Sequence, residues 1–263
     1  MIHLFRKIRK ELIKGNRTTQ YLRYAIGEII LVMIGILLAL QVNNWNENRK
    51  DKIIEQEYLN RLQLDIGKDH ATLLFSKELA DERIHQVEIL SNAVQHPDSL
   101  FTNTSEIIES IEKVTWLSYL PLSKIVFNEL QTSGNMTLIE SKALREKLAT
   151  YYAEANHWEM ILNGQQYQKE FGIETAGILN NEMLAQIENS EPLYLEHAKE
   201  KLELGLSRQA FAHMIRGLAS NTEATNCLPQ IYHYHILSKK VIELLISKNE
   251  ELLATINDNL HSN

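Results

Sequence analysis

An uninterrupted apolar run near the start of the chain limits what it can fold into more than any other feature. Ala25 to Val42 reads AIGEIILVMIGILLALQV, and the eighteen residues from Ile29 to Asn46 carry no charge. At about 1.5 Å per residue, a helix over Ala25–Val42 extends roughly 27 Å, close to the hydrocarbon thickness of a bilayer. Tyr21 and Tyr24 flank one end and Trp45 the other, the amphipathic rings that collect at membrane–water interfaces. The competing reading is a buried helix of a soluble domain, but it leaves the surrounding charge unexplained. Arg6, Lys7, Arg9, Lys10, Lys14, Arg17 and Arg23 face only Glu11 and Glu28 within residues 1–42, a net of +5, whereas the remainder nets −12.

A basic head on an acidic body suits nucleic acid or an anionic membrane surface, and the adjoining apolar run favours the membrane. The flank richer in Lys and Arg stays on the cytoplasmic side. The expected organisation is a cytoplasmic basic segment over 1–17, a transmembrane helix over 19–45, and an extracytoplasmic (periplasmic) domain over 46–263. A cleaved signal peptide would end in small residues, and Leu38-Ala39-Leu40-Gln41 offers no such pair, so an uncleaved signal anchor in the inner membrane is expected. The cytoplasmic tail of about 23 residues is then too short for an output domain.

Within residues 2–14, Leu4, Phe5, Ile8 and Leu12 share one helical face while Arg6, Lys7, Arg9, Lys10 and Lys14 fill the other. Such a helix can lie on an anionic leaflet. Inside the span, Glu28 is the one ionisable group, costly in lipid unless paired, neutral or reaching the interface toward Arg23 or Arg17. Gly27, Leu31, Gly35 and Ala39 recur every four residues, and the Gly35/Ala39 pair would let a second helix approach closely. Gly27, Glu28, Gly35 and Ala39 are therefore the candidate helix-contact residues. Tyr21, Tyr24, Trp45, Arg6, Lys7, Arg9 and Lys10 are the candidate interfacial anchors.

Tyr24 to Lys50, YAIGEIILVMIGILLALQVNNWNENRK, closely resembles the N-terminal signature of a family of uncharacterised single-pass membrane proteins of Bacteroidetes-type bacteria, as does FRKIRKEL at Phe5–Leu12. Asn128 to Asn135, continuing through Leu138-Ile139 to Leu148 and Tyr151-Tyr152, is similar to the family's midsection. The resemblance implies a membrane anchor with a helical extracytoplasmic part, and it brings no activity, because the family is a domain of unknown function.

Gly and Pro together number only 14 of 263 residues, too few for a turn-rich sandwich or barrel. Leu59, Ile66, Leu73, Ala80, Val87 and Val94 recur every seven residues, with Leu62, Ile84 and Leu90 close in phase. That spacing predicts an amphipathic helix from about Asn46, possible continuation of the span included, bent or broken at Gly67 and ended at His96-Pro97. Asn103-x-x-Glu106 reads as a capping box opening a short helix. Pro121 opens another, closed at Gly134-Asn135. Ser141 caps a long helix with the stripe Leu144, Leu148, Tyr151, Ala155, Trp158 and Leu162. Ser207–Leu218 is a short helix, and Pro229 fits the first turn of a long closing helix striped by Ile231, Tyr234, Leu237, Val241, Leu245, Leu252 and Ile256. The expected fold class is all-α: one N-terminal transmembrane helix followed by a helical bundle.

Glu82-x-x-His85 and Glu154-x-x-His157 match the pair of motifs that facing helices use in di-iron sites. On the helical stripes above, all four side chains fall away from the core, so no metal site is expected. His233 and His235 lie about 200° apart on a helix and cannot share one ion. Trp116, Trp158 and the Tyr151-Tyr152 pair read as core rather than as a ligand pocket. Cys227, the single cysteine, allows a bond between chains or a buried inert thiol, the latter favoured. No nucleophile elbow, zinc-protease, P-loop or dinucleotide motif is present. Catalytic, cofactor-binding and metal-ligating residues are therefore all expected to be none. The expected function is a non-enzymatic, membrane-anchored interaction or scaffold protein, partnered by the lipid bilayer and by a protein or a second copy through the membrane and coiled helices, not by nucleic acid. The alternative is a small-ligand-sensing bundle acting through a membrane partner.

Overall fold

The computed structural model describes residues 18–117, 120, 122–190 and 204–262; Arg6, Lys7, Arg9 and Lys10, and the amphipathic segment they belong to, lie outside them. Helices make up the described structure, and no strand occurs among the described residues. The chain divides into two compact units, residues 1–57 and 58–263. Helix α1 (Thr18–Gln95) is followed by α2 (Thr104–Lys113), α3 (Ile125–Thr132) and a 3-10 turn (Asn135–Leu138). Then come α4 (Lys142–Leu162), α5 (Gln166–Glu174), α6 (Asn181–Ser190), α7 (Arg208–Ser220) and α8 (Thr222–Ser262).

In the larger unit, α1 and α8 run antiparallel. Gln63 Nε2 donates to Asn257 Oδ1 at 2.5 Å, His70 lies 3.9 Å from Glu250, and Lys77 pairs with Glu243 at 3.3 Å. Each step of one heptad along α1 is matched by one heptad backward along α8, the register of a coiled pair. Asp81–Lys239 at 2.5 Å and Glu88–Tyr232 at 3.2 Å continue it. Two apolar clusters form along this pair. One joins Leu59, Leu62, Ile66 and Leu73 of α1 to Phe127, Leu144, Leu148, Tyr152, Leu245 and Ile256. The other joins Val87 and Leu90 to Ile107, Ile111, Phe171, Ile215, Leu228 and Ile231.

Several local expectations are met and several are corrected. Ser141 caps α4, its hydroxyl accepting from the Leu144 N–H at 3.2 Å, and Ser207 caps α7 through Ala210. α1 passes through Gly67 without a break, because a single glycine weakens a helix by only about 1 kcal/mol and flanking burial outweighs it. Asn103 does not cap α2; its amide instead donates to the Glu106 carboxylate at 3.0 Å. α3 begins at Ile125, the expected start at Pro121 lying outside the described residues, and Gly134 closes it in the left-handed conformation at φ 77°. Pro229 lies well inside α8 rather than in its first turn. The start belongs to Asn221, whose Oδ1 accepts from the Ala224 N–H at 3.1 Å.

Candidate functional site

The apolar window of α1 has a mean hydropathy of 2.4, and none of it is buried. Among the described residues this is the one helix long and apolar enough to cross a membrane. Its side chains from Ile29 to Val42 stand between 49% and 67% exposed. Eleven bare Ile, Leu, Val and Met side chains would cost on the order of 15 kcal/mol in water, as much as a whole domain's stability. Glu28 is exposed within this stretch, and a Cβ added at Gly27 or Gly35 would meet nothing within 4 Å. Neither glycine is therefore required by packing within the chain. Ala39 and Trp45 are exposed on the same helix, and Tyr21 and Tyr24 lie on its first turns, their side chains outside the described residues. Asn43 donates to Glu47 one turn later at 3.0 Å.

Buried polar groups on the long helices of the larger unit include Asp69, Asn249 and His235. Asp69 is 2% exposed; its Oδ1 accepts from the Ser123 N–H at 2.7 Å, while Oδ2 has no hydrogen-bond partner among the described residues. Burial pushes its carboxyl up to about 6, the Asp65 charge adding to the effect against the Ser123 hydrogen bond. Asn249 donates to the Ile66 carbonyl at 3.0 Å and to Tyr151 Oη at 3.2 Å. Burial raises the Tyr151 phenol to about 12 and Tyr152 further still. His235 is fully buried and held neutral, its pKa lowered to about 3 by burial and by the Arg83 charge. These residues were legible as stripe positions: Asp69 falls between Ile66 and Leu73, Asn249 between Leu245 and Leu252, and His235 between Ile231 and Ser238.

The two Glu-x-x-His motifs do different jobs in different places. Glu82 turns inward, its side chain 15% exposed and 3.4 Å from the buried Lys113 ammonium, which also pairs with Glu109. This corrects the expectation that Glu82 faces away: α2 covers a second side of α1 that the apolar stripe does not mark. The Arg83 guanidinium lies 4.6 Å and the Lys113 ammonium 5.4 Å from the Trp116 ring. His85 is exposed and 3.4 Å from Glu106. Glu154 pairs with Lys248 at 2.6 Å, and His157 is exposed, edge-on to Trp158. Among the described residues no group of three or more His, Cys, Asp and Glu converges as metal ligands would. His233 is exposed while His235 is buried, on opposite sides of α8. Cys227 is buried, and its thiol donates to the Glu223 carbonyl at 3.3 Å. Burial and the charges of Glu170 and Glu174 raise its pKa, keeping it protonated. Trp158, Tyr151 and Tyr152 belong to the first apolar cluster.

A pocket of about 320 Å³ opens between α2, α5, the turn at Gly177 and α6. Ile111, Glu112, Gln168, Lys169, Leu179 and Leu184 are among the residues that line it. Burial raises the Glu112 carboxyl, opposed by a hydrogen bond from Trp116 and reinforced by the Glu188 charge. Gln168 is 2% exposed, and its Nε2 donates to nothing among the described residues. No motif announces this pocket. It is assembled from two segments, Ile111–Leu117 and Gln165–Leu184, far apart in the chain, which is why sequence reasoning missed it.

No curated protein and no solved structure matches the chain. A family model does, over residues 28–186, from Glu28 of the apolar window through α6. That is more than half of the chain, which therefore belongs to the family of unknown function DUF6090.

Proposed function

We propose that this is a membrane-anchored interaction or scaffold protein with no catalytic activity of its own. Residues 19–45 hold it as an uncleaved signal anchor in the inner membrane of a Bacteroidetes-type bacterium. Residues 1–17 lie on the cytoplasmic side and residues 46–263 in the periplasm. The observation that carries the anchoring is the wholly exposed apolar window of α1, which only lipid or another apolar helix can cover at an acceptable free energy. The basic excess before it, +5 over residues 1–42, supports the orientation. Arg6, Lys7, Arg9 and Lys10 would meet anionic headgroups, and Tyr21, Tyr24 and Trp45 the interfaces.

Partner contact falls on the membrane segment. The apolar stripes of α1 and α8 are already buried within the larger unit, whereas Gly27 and Gly35 have open space before them. Gly27, Glu28, Gly35 and Ala39 would form the face on which a second membrane helix packs, with Glu28 paired or protonated there.

Alkaline extraction of membranes, a compartment reporter fused to Asn263 and pull-down from native membranes test this reading. Retention in the membrane, a reporter in the oxidising compartment, and a partner lost on Gly35→Leu are expected. A chain soluble without detergent, or a reporter in the reducing compartment, would refute it. If Glu28→Gln changes neither partner recovery nor abundance, the carboxylate serves only to reach the interface. The pocket beside α2 favours a second reading, a small-ligand-sensing bundle that acts through its membrane partner.

A further inference from the structure

Helix α3 is fastened to α1 at both of its ends, and at each end the fastening is a carboxylate. At the start, two α1 carboxylates one turn apart hold the same residue. Asp69 Oδ1 accepts from the Ser123 N–H at 2.7 Å, and Asp65 Oδ2 accepts from the Ser123 hydroxyl at 3.2 Å. At the far end, Glu129 Oε1 accepts from the Arg61 guanidinium at 3.0 Å and from Tyr58 Oη at 3.1 Å. Asn135, in the turn that follows, donates to the same Tyr58 oxygen at 2.9 Å. The Asn128–Asn135 segment singled out in the sequence thus supplies the far fastening. Between the two ends Val126, Phe127 and Leu130 are buried, and the Phe127 ring stacks on Tyr152 of α4 with centroids 4.2 Å apart.

The two fastenings need opposite protonation states. Asp69 is buried, so its ionised form is penalised while α3 is seated. The titratable groups that act with it are Asp65 on its own helix and the phenols of Tyr151 and Tyr152 on α4. The Lys124 ammonium, next to Ser123 in the chain, pairs with Glu159 at 2.5 Å, and α8 brings the neutral Asn249, which donates to Tyr151 Oη. Glu129 instead meets a cation, and its hydrogen bond from Arg61 holds its carboxyl below the usual range. We propose that α3 is a pH-gated lid on the larger unit, seated most firmly in mildly acidic solution, where Asp69 is protonated and Glu129 ionised. Lifting α3 takes the Ser123 cover off Asp69 and lets water reach the carboxylate. The seated form therefore binds the proton more tightly, and rising pH favours the lifted form. At lower pH the Glu129 fastening is lost instead. A lifted α3 bares Val126, Phe127 and Leu130 together with the Tyr152 ring. This inference concerns the larger unit alone and stands apart from the anchoring, which membrane extraction reads separately.

Hydrogen–deuterium exchange of the full chain in detergent micelles, read by mass spectrometry and corrected for the intrinsic pH dependence of exchange, tests it. With Asp69 moving from about 6 when seated to its ordinary 3.8 when hydrated, opening of α3 should rise about 20-fold between roughly pH 4.5 and pH 7. Peptides from the core of α8 should not follow it. Asp69→Asn should leave α3 protection level across that range. Glu129→Gln should raise α3 exchange throughout the range and remove the further rise expected below about pH 4. α3 protection that does not change between pH 4.5 and pH 7 would overturn the proposal. So would an undiminished pH response in Asp69→Asn, or α8 peptides loosening in step with α3, since the charge would then be released only by unfolding of the whole unit. Should Asp69→Asn fail to fold, the comparison of α3 with α8 in the wild-type chain decides the matter alone.

Discussion

Replacing Asp69 by Asn should flatten the pH dependence of stability in a way whose sign follows from the site. Asp69 is buried, with one carboxylate oxygen bonded to Ser123 and the other unmet. Its pKa rises from 3.8 to about 6 on folding. Between those values the folded chain holds a proton that the unfolded chain has lost, so stability falls as pH rises from about 4 to 6 and is level above. At 1.36 kcal/mol per pH unit, this shift removes about 3 kcal/mol. Asn cannot ionise, so Asp69→Asn loses none of it. At neutral pH the gain is offset by an amide N–H placed where Oδ2 finds no partner, about 1–3 kcal/mol, and the two nearly cancel. The informative quantity is the difference between variant and wild type at two pH values. It should shift in the variant's favour by about 3 kcal/mol between roughly pH 4 and pH 7.5. That corresponds to a Tm difference changing by about 6–12 °C for a unit of this size. Thermal unfolding of the full chain in detergent micelles, followed by far-ultraviolet circular dichroism, measures it. Glu129 and Glu251, whose carboxyls Arg61 and Lys147 hold below the usual range, give the opposite slope at lower pH in both proteins and drop out of the difference. Parallel Tm curves for the two proteins would refute the reasoning.

Three further substitutions have clear directions. Lys113→Met removes the buried ammonium that pairs with the largely buried Glu82 and Glu109 carboxylates and should cost about 2–4 kcal/mol; adding Glu82→Gln and Glu109→Gln should restore at least half of it, and a Tm unchanged by Lys113→Met alone would contradict the network. Pro229→Ala returns a backbone N–H to the exposed interior of α8 and should stabilise by about 1–2 kcal/mol, the helix gain of ~3 reduced by a looser unfolded chain; a lower Tm would show that the proline sets a needed bend. Gly67→Ala, at an exposed helix position where a Cβ meets nothing within 4 Å, should raise stability by about 1 kcal/mol in the same assay.

The long helices were legible because their apolar spacing is regular. Leu59, Leu62, Ile66, Leu73, Ala80, Val87 and Leu90 are all buried. At the far end Ala93 is buried where Val94 was expected, with Val94 only packed against the cluster. A strict seven-residue repeat drifts by about 100° over five heptads on a 3.6-residue helix, toward Gln95 and away from Ala93, so the burial of Ala93 comes from the helices packed at that end and not from the repeat. The stripe shows one face only, so it gave no sign that α2 would bury Lys113 and Arg83 on another. Helix ends depended on which partner a polar side chain chose: Ser141 turned to the backbone and Asn103 to a neighbouring carboxylate. Pro229 suited a helix start, but Asn221 supplied the cap. The pocket rests on loop geometry over residues 175–179, including Gly177 at φ 86°, which no periodicity encodes.

The antiparallel pairing of α1 and α8 also sets the order of events during synthesis. Gln63 meets Asn257 across 194 residues of chain, and Asn249 meets Ile66 across 183. At about 5–20 residues per second, the ribosome needs roughly ten seconds or more after α1 emerges before its groove-mate exists. Throughout that interval the greasy edge of α1 is a target for chaperones and proteases. A stop codon between Thr222 and Val241 would remove Leu245, Leu252 and Ile256 and make the exposure permanent, so such a lesion should be as damaging to this protein's abundance as an early one.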